Sequence, residues 1–309
     1  MKAVICTKYG SPDVLKIVEI QKPIPKNNEI LIRIYYATVQ TGDCKVRDLI
    51  GVATSATKYN PILKFIMRLI MGYNRPKNPV LGTELYGKIE SMGKNVTKHK
   101  IGDEIIVMTD TKMGAHKEYI AWPEGKMFID KPNRITPEQS AAISFGGTTA
   151  LYFLRKSNIK EGQTILINGA SGAVGTAAVQ LAKYFGAIVT GVCGTNHKDL
   201  VKSIGADYVI DYTKEKIENI KQQYDVIFDA VGKTSKEVCK NILKQNGKYM
   251  TVLNGMVMGK QNDLTLLKNL IEQNNFTPVI DKCFNLDEIV EAHKYVEMGH
   301  KKGNIVIKI

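Results

Sequence analysis

Between Thr164 and Gly175 the chain reads Thr-Ile-Leu-Ile-Asn-Gly-Ala-Ser-Gly-Ala-Val-Gly, a short apolar run that enters a glycine-rich turn and then a helical pattern. That order suits an anion. A helix opening directly after a strand leaves its first N–H groups without carbonyl partners, and its dipole favours negative charge there. Gly172 has no side chain to obstruct a pyrophosphate, and Gly175 lets the helix lie against the strand. Ala170 stands where the common G-x-G-x-x-G fingerprint has its first glycine. The cradle is therefore assigned to Ala170, Ser171, Gly172, Ala173, Val174 and Gly175 from its setting, a strand before and a helix after, with a ligand-free tight turn as the alternative.

The following strand decides which dinucleotide fits. NAD sites usually place Asp or Glu at its end to hold the ribose hydroxyls, and that carboxylate repels the extra phosphate of NADP. Here the strand ends in Gly191-Val192-Cys193-Gly194-Thr195-Asn196-His197-Lys198, with no acid before Asp199. Gly194, Thr195 and Asn196 offer donors, Lys198 offers a charge, and Tyr212 after the third strand can reach the same phosphate. NADPH is the expected cofactor; the alternative for Lys198 is a solvated lysine at a helix start.

Two kinds of element carry these residues. Stretches 2–7, 14–19, 29–38, 86–92 and 104–108 alternate or are rich in β-branched residues, with proline, asparagine and glycine between them, and predict small strands. From about Pro137 the period changes: helix 139–156, strand 163–168, helix 174–185, strand 188–193, helix 198–204, strands 208–210 and 225–229, a helix near 235–243 and strand 247–253. Strands alternating with helices imply a parallel, doubly wound sheet. The segment from Pro61 to Gly72, almost wholly apolar apart from Lys64 and Arg68, reads as a helix packed on the first domain, with a substrate lid or a weak membrane-surface contact as the sharper alternatives.

The 309 residues exceed one ordinary domain, and 44% hydrophobic with 24% charged content describes a globular chain. No apolar run approaches the ~20 residues that span a bilayer, and the N-terminus lacks a signal-peptide pattern, so the cytoplasm is expected. Cys6, Cys44, Cys193, Cys239 and Cys283 lie far apart without CxxC spacing, which argues for free thiols and against structural zinc. The formal charge of +13 is spread over scattered lysines and reads as a solubility device, with no nucleic-acid partner expected.

The chain resembles the zinc-independent quinone oxidoreductase branch of the medium-chain dehydrogenase/reductase superfamily. The likeness runs through nearly the whole sequence: Asp43, Leu81-Gly82-Thr83-Glu84 with Gly87, stretches 93–103, 114–119 and 141–151, the Gly169–Gly175 turn, Gly205-Ala206-Asp207 with Asp211-Tyr212, residues 229–232, 278–281, Ala292-His293 and Gly303-Asn304. The resemblance implies an α/β chain in which a GroES-like β domain (1–123 and 262–309) is joined to a Rossmann domain (124–261), with the active site in the cleft between them. It further implies nicotinamide near Val231, Leu253, Asn254 and Gly255, with Thr149 and Asn304 also in the cofactor site, and Gln40, Thr41 and Asp43 on the catalytic side. Zinc relatives hold their metal through Cys and a Gly-His-Glu motif. Here that motif reads Gly82-Thr83-Glu84, Thr41 occupies the region of the first Cys, and Cys44 reads as an ordinary thiol, so no metal is expected.

By the same resemblance, hydride passes from NADPH to a quinone, with an alkenal, enone or enoyl-thioester as the alternative acceptor. A different class, an NADPH-binding RNA- or membrane-associated protein without turnover, is the other reading. Lys45 stands where many relatives have Tyr and Gln40 where many have Asn, so no general acid is assigned. Relatives usually carry about thirty more residues before the helix near Asp263, including an edge strand that pairs across a dimer. Only residues 254–262 remain here, which implies a monomer or an atypical dimer.

Overall fold

Alternation of apolar residues in the first third of the chain becomes antiparallel pairing in the computed structural model, which describes residues 1–49, 68–255 and 257–309. Residues 61–67 of the apolar segment lie outside the described residues; 68–71 are helical.

β1 (Lys2–Cys6) pairs with β2 (Leu15–Glu19). The long β3 (Glu29–Val39) runs straight into helix α1 (Thr41–Asp48), an element the sequence pattern does not reveal. β4 (Glu84–Met92) lies beside β3, β5 (Glu104–Met108) beside β4, β6 (Tyr119–Pro123) pairs with β3, and β7 (Phe128–Asp130) pairs with β5. Their inward residues, among them Ile30, Ile32, Leu85 and Ile105, form one apolar core.

The helix expected over 139–156 divides into α2 (Pro137–Ser140), opened by a Thr136–Gln139 capping box, and α3 (Ser144–Ser157). The break lets Ala141, Ala142 and Ile143 all face inward, whereas a continuous helix would spread three consecutive residues over different faces.

Beyond it, β8 (Thr164–Asn168), α4 (Ala173–Tyr184), β9 (Ile188–Cys193), α5 (Lys198–Ser203), β10 (Tyr208–Asp211), β11 (Tyr224–Asp229) and β12 (Leu243–Thr251) build a parallel sheet in the order β10-β9-β8-β11-β12. The winding reverses between β8 and β11, the place where such sheets bind ligands. The helix expected over 235–243 does not form: turns lead to a single 3₁₀ turn, Lys240–Ile242. Leu243 already pairs with Tyr224 across a register shift, so β12 begins four residues earlier than the expected 247 and takes the last residue of the expected helix. Helix α6 (Gln261–Glu272) turns Leu264, Leu267 and Leu270 inward, and Leu267 packs on Gly147, where an added Cβ would come within 2.6 Å of its methyl.

The chain then adds β13 (Ile280–Asn285), α7 (Ile289–Glu297) and β14 (Asn304–Lys308) to the first sheet, β14 pairing antiparallel with β3 and parallel with β13. Two compact units result, Met1–Ser144 with Ile280–Ile309, and Phe145–Val279. β7 pairs with β5 and so stays in the first unit, while α6 packs on α3 and pairs its Asp263 with Arg155 in the second.

Helix α1 is anchored by α7. Arg47 is 1% exposed and pairs with Glu297 through Nη2, while its Nε and Nη1 have no partner among the described residues. A buried guanidinium so incompletely matched adds little net stability, but removing its one counter-charge leaves it stranded. Arg47→Met is therefore expected to change unfolding free energy by less than about 1 kcal/mol, and Glu297→Ala to cost about 3–5 kcal/mol, measured by denaturant unfolding; equal losses in both would contradict this account.

Candidate functional site

In the second unit the glycine turn closes as its sequence requires. An added Cβ at Gly175 would fall on the carbonyl oxygen of Gly169, so α4 meets the strand end at backbone contact. Gly169 has φ +78°, and the side chain of Val231 covers the position its own Cβ would take. Gly172 is different: it caps α4 with extended backbone, and the nearest atom to an added Cβ is Gly169 O at 3.7 Å. Space therefore remains in front of the turn. Thr176 N–H is bonded to Gly172 O at 2.8 Å, and the N–H groups of Ala173, Val174 and Gly175, ahead of it, have no intrahelical acceptor by helix geometry.

Neighbouring segments converge on this turn. Ser171 Oγ lies 3.0 Å from His197 Nδ1, which ties the cradle to the 3₁₀ turn Thr195–His197 at the end of β9. Tyr212 N–H bonds Cys193 O at 3.1 Å, and its hydroxyl would stand 3.3 Å from a Cβ on Gly194. Lys198, half-buried at the start of α5, partly offsets the burial that pushes the Cys193 thiol up to about 11. On the other side of the switch point, Asp229 is fully buried and accepts from Asn168 Nδ2 at 3.0 Å and from the N–H groups of Gly232 and Thr234, each at 3.0 Å. This fixes the loop that presents Val231. Leu253 packs against Gly232, and Leu253, Asn254 and Gly255 are exposed; Thr149 is buried on α3.

The first unit holds a separate polar cluster. Gln40 is 1% exposed and caps α1, its N–H bonded to Asp43 Oδ2 at 2.7 Å. Its Nε2 lies 2.9 Å from Glu84 Oε1, 2.9 Å from Asn304 Oδ1 and 3.2 Å from Thr38 Oγ1, and Thr38 donates to the same Glu84 oxygen at 2.7 Å. An amide nitrogen has two hydrogens, so the two shorter bonds consume it. Asp43 also accepts Gly82 N–H at 3.0 Å; burial pushes its carboxyl up, against the pull of His116 and its two backbone donors. Thr41 is exposed one residue beyond Gln40.

Beside α1, Cys44 Sγ lies 3.5 Å from His293 Nδ1 and Nε2 of His293 has no partner among the described residues. Burial pushes this thiol up to about 12 and holds the imidazole well below its ordinary range, so the pair is a packed thiol and a neutral ring. Thr83 has a buried hydroxyl with no partner among the described residues, and among the same residues no group of three His, Cys, Asp or Glu side chains is placed to hold a metal. These residues do not suit zinc.

Residues 26–133 match the family model of the alcohol dehydrogenase GroES-like domain, and residues 173–278 and 253–307 match two models of zinc-binding dehydrogenases. A 2-methylene-furan-3-one reductase from Solanum lycopersicum is 32% identical over 99% of this chain and 79% of its own length. The chain belongs to the zinc-independent quinone oxidoreductase branch of the medium-chain dehydrogenase/reductase superfamily. An NADPH-dependent alkenal/one oxidoreductase from Arabidopsis thaliana chloroplasts is 31% identical over 99% of this chain and 79% of its own. The fold is shared with the quinone oxidoreductase of Coxiella burnetii, with a TM-score of 0.82 at 24% identity and coverage of 100% and 99%. Among the described residues of this family member, no helix is long and apolar enough to cross a membrane.

Sequence reasoning named the turn but missed much of what holds it. Glu84 stands there only as part of a motif, and Asp229 and His197 only as parts of longer stretches. Lys301 was also missed: its ammonium donates to Gly303 O at 2.6 Å, one residue before Asn304. Burial pushes it down from 10.5 to about 8, against the opposing charges of Asp281 and Glu84. The folded chain thus holds fewer protons at this site than the unfolded chain between pH 8 and 10.5, and stability gains as pH rises through that window. Relative to Lys301→Met, the wild-type unfolding free energy is expected to rise by about 1–3 kcal/mol across it, followed by urea unfolding at fixed ionic strength; parallel curves would refute the buried ammonium.

Proposed function

We propose that this chain is an NADPH-dependent reductase that delivers hydride to a quinone without a metal. The observation that carries the reading is the β8–α4 turn. Gly169 and Gly175 are required by the protein's own packing, whereas a Cβ at Gly172 would meet only Gly169 O at an ordinary 3.7 Å, so its lack of a side chain is useful to an approaching ligand. The free N–H groups of Ala173, Val174 and Gly175 suit a pyrophosphate, with Ala170 and Ser171 completing the cradle. Lys198 and Tyr212, with the N–H of Gly194, suit the additional phosphate of NADPH. Val231, Leu253, Asn254, Gly255 and Thr149 of the second unit are assigned to the nicotinamide end.

When bound, NADPH supplies the hydride. The chain's own contribution is to bind and orient it. Asp229 holds Val231 and Gly232 in a fixed loop, and Gln40, with its amide nitrogen consumed by Glu84 and Asn304, acts by positioning β14 and the start of α1 rather than by donating a proton. Asp43 likewise accepts two backbone N–H groups and is assigned a structural role beside exposed Thr41. A hydroquinone anion can take its proton from water, so the absence of an assigned acid is no obstacle.

A conjugated enone or alkenal is the second reading, favoured by the printed activities of the tomato and Arabidopsis relatives. A monomer, or a dimer through a surface other than the β12 edge, is proposed from the short connection between Thr251 and Gln261 and from Lys244 and Lys248 on that edge strand.

Purified, metal-stripped protein is expected to oxidise NADPH faster than NADH in the presence of 1,4-naphthoquinone or 9,10-phenanthrenequinone, with 2-hexenal as the enone probe. Lys198→Met is expected to raise the KM for NADPH by about tenfold, the size of one lost charge-assisted contact, while leaving kcat within twofold. Tight NADPH binding without turnover of any of the three acceptors would overturn the enzymatic reading.

A further inference from the structure

The end of β9 carries no carboxylate of its own, yet one reaches it from the next strand. Asp211 closes β10 opposite Cys193 and is buried. Its Oδ2 accepts the Thr195 hydroxyl at 2.7 Å; its Oδ1 accepts the Thr213 hydroxyl at 2.7 Å and the Thr213 N–H at 3.0 Å. The Thr195 bond, then the Thr213 bonds, hold this carboxyl below its ordinary range, so it is ionised at neutral pH.

A threonine hydroxyl has one proton and two lone pairs. Both protons here point at the carboxylate, and the two hydroxyl oxygens stand 3.0 Å apart. Thr195 and Thr213 are exposed, so what they turn outward is lone pairs. The sequence suggests a donor at Thr195; the structure makes it an acceptor.

Position matters as much as polarity. Thr195 begins the turn whose His197 touches Ser171 of the glycine cradle, and it follows Gly172 by the roughly 20 residues that separate a pyrophosphate cradle from a ribose-binding residue. We propose that Asp211 is a specificity-determining positioning residue that makes Thr195 an acceptor for the 2′-hydroxyl of the adenine ribose, the hydroxyl that NADPH replaces with phosphate. A phosphate dianion has no proton to give this acceptor, so the preference for NADPH rests on Lys198 and Tyr212 and is held down by the Asp211–Thr195 pair. The inference rests on the nucleotide-binding reading above.

Calorimetric titration of the full chain with NADPH, NADH, 2′,5′-ADP and 5′-AMP tests it. Thr195→Val is expected to weaken NADH and 5′-AMP by about 3–10-fold, one hydrogen bond's worth, and to leave NADPH and 2′,5′-ADP within twofold. Asp211→Asn, which removes the charge and can donate to Thr195, is expected to raise the NADPH-to-NADH affinity ratio by about 3–10-fold. Thr195→Ser, which keeps the hydroxyl, is expected to behave as wild type. A merely structural role for Asp211 would move all four affinities together, and that outcome, or a Thr195→Val variant that loses NADPH more than NADH, overturns the assignment. Should Asp211→Asn not fold, the two Thr195 variants decide alone. Wild-type protein that binds none of the four ligands overturns the nucleotide reading itself, and the assignment with it.

Discussion

Backbone contact between the first turn of α4 and the Gly169 carbonyl is the constraint on which the second unit depends. With no Cβ at Gly175, the helix axis can approach the end of β8 closely enough for its N-terminus to face the space over the turn. The same closeness sets what surrounds it. Val231 must cover Gly169, so the loop after β11 has to arrive at a fixed height, and Asp229 provides this by bonding that loop's N–H groups and the Asn168 side chain of the adjacent strand. On the other flank, Gly146 of α3 lies where an added Cβ would meet Ala173 O at 2.7 Å. The turn is thus enclosed by close backbone approaches on several sides while its front stays open.

The first unit reaches rigidity by a different route. Its cluster around Glu84 is polar and buried, and its geometry follows from donor and acceptor counts. Glu84 Oε1 receives Thr38 and Gln40, Gln40 passes its second hydrogen to Asn304, and Asp43 receives two backbone N–H groups, including that of Gly82. Apart from the capping bond within α1, these bonds join different elements: β3, β4, α1 and β14 meet there. Gly82 adopts φ +95°, and a side chain on it would strike the His116 ring at 2.7 Å, so the backbone can reach Asp43 only with glycine at this position. A buried network of this kind loses more when one member is removed than its bonds contribute singly, because the abandoned partners remain out of reach of water.

Which features could be read in the sequence follows from the range over which they act. The glycine turn, the parallel strands and the β-rich first third rest on local spacing and were legible, as was the substitution of Thr83 for a metal-binding histidine. Helix α1 was not, because Thr-Gly-Asp-Cys-Lys-Val-Arg-Asp carries almost no apolar stripe and is held by Arg47 with Glu297 and by Cys44 against His293, partners about 250 residues away in sequence. The expected helix at 235–243 failed for the opposite reason: its local pattern was real, but β12 needed Leu243 to pair with Tyr224 across the sheet. Glu84, Asp229 and Lys301 escaped notice because a buried charge has no local signature. Only the fold shows who its partners are.

Cofactor preference shows how far a local rule extends. The rule reads the last residue of β9 and, finding no acid, concludes that a phosphate is welcome. In a parallel sheet the last residues of neighbouring strands lie side by side, so a carboxylate on β10 occupies nearly the same region as one on β9 would. Asp211 does so, and by accepting the hydrogen bond of the Thr195 hydroxyl it also changes the polarity of the residue that the rule would count as a donor. Lys198 and Tyr212 therefore act in a field that already contains a negative charge. On the proposed reading the net preference is a difference between two opposing local terms, and it depends on how completely that carboxylate is satisfied by Thr195 and Thr213. Such a balance can be moved by one hydroxyl without any change in the glycine turn.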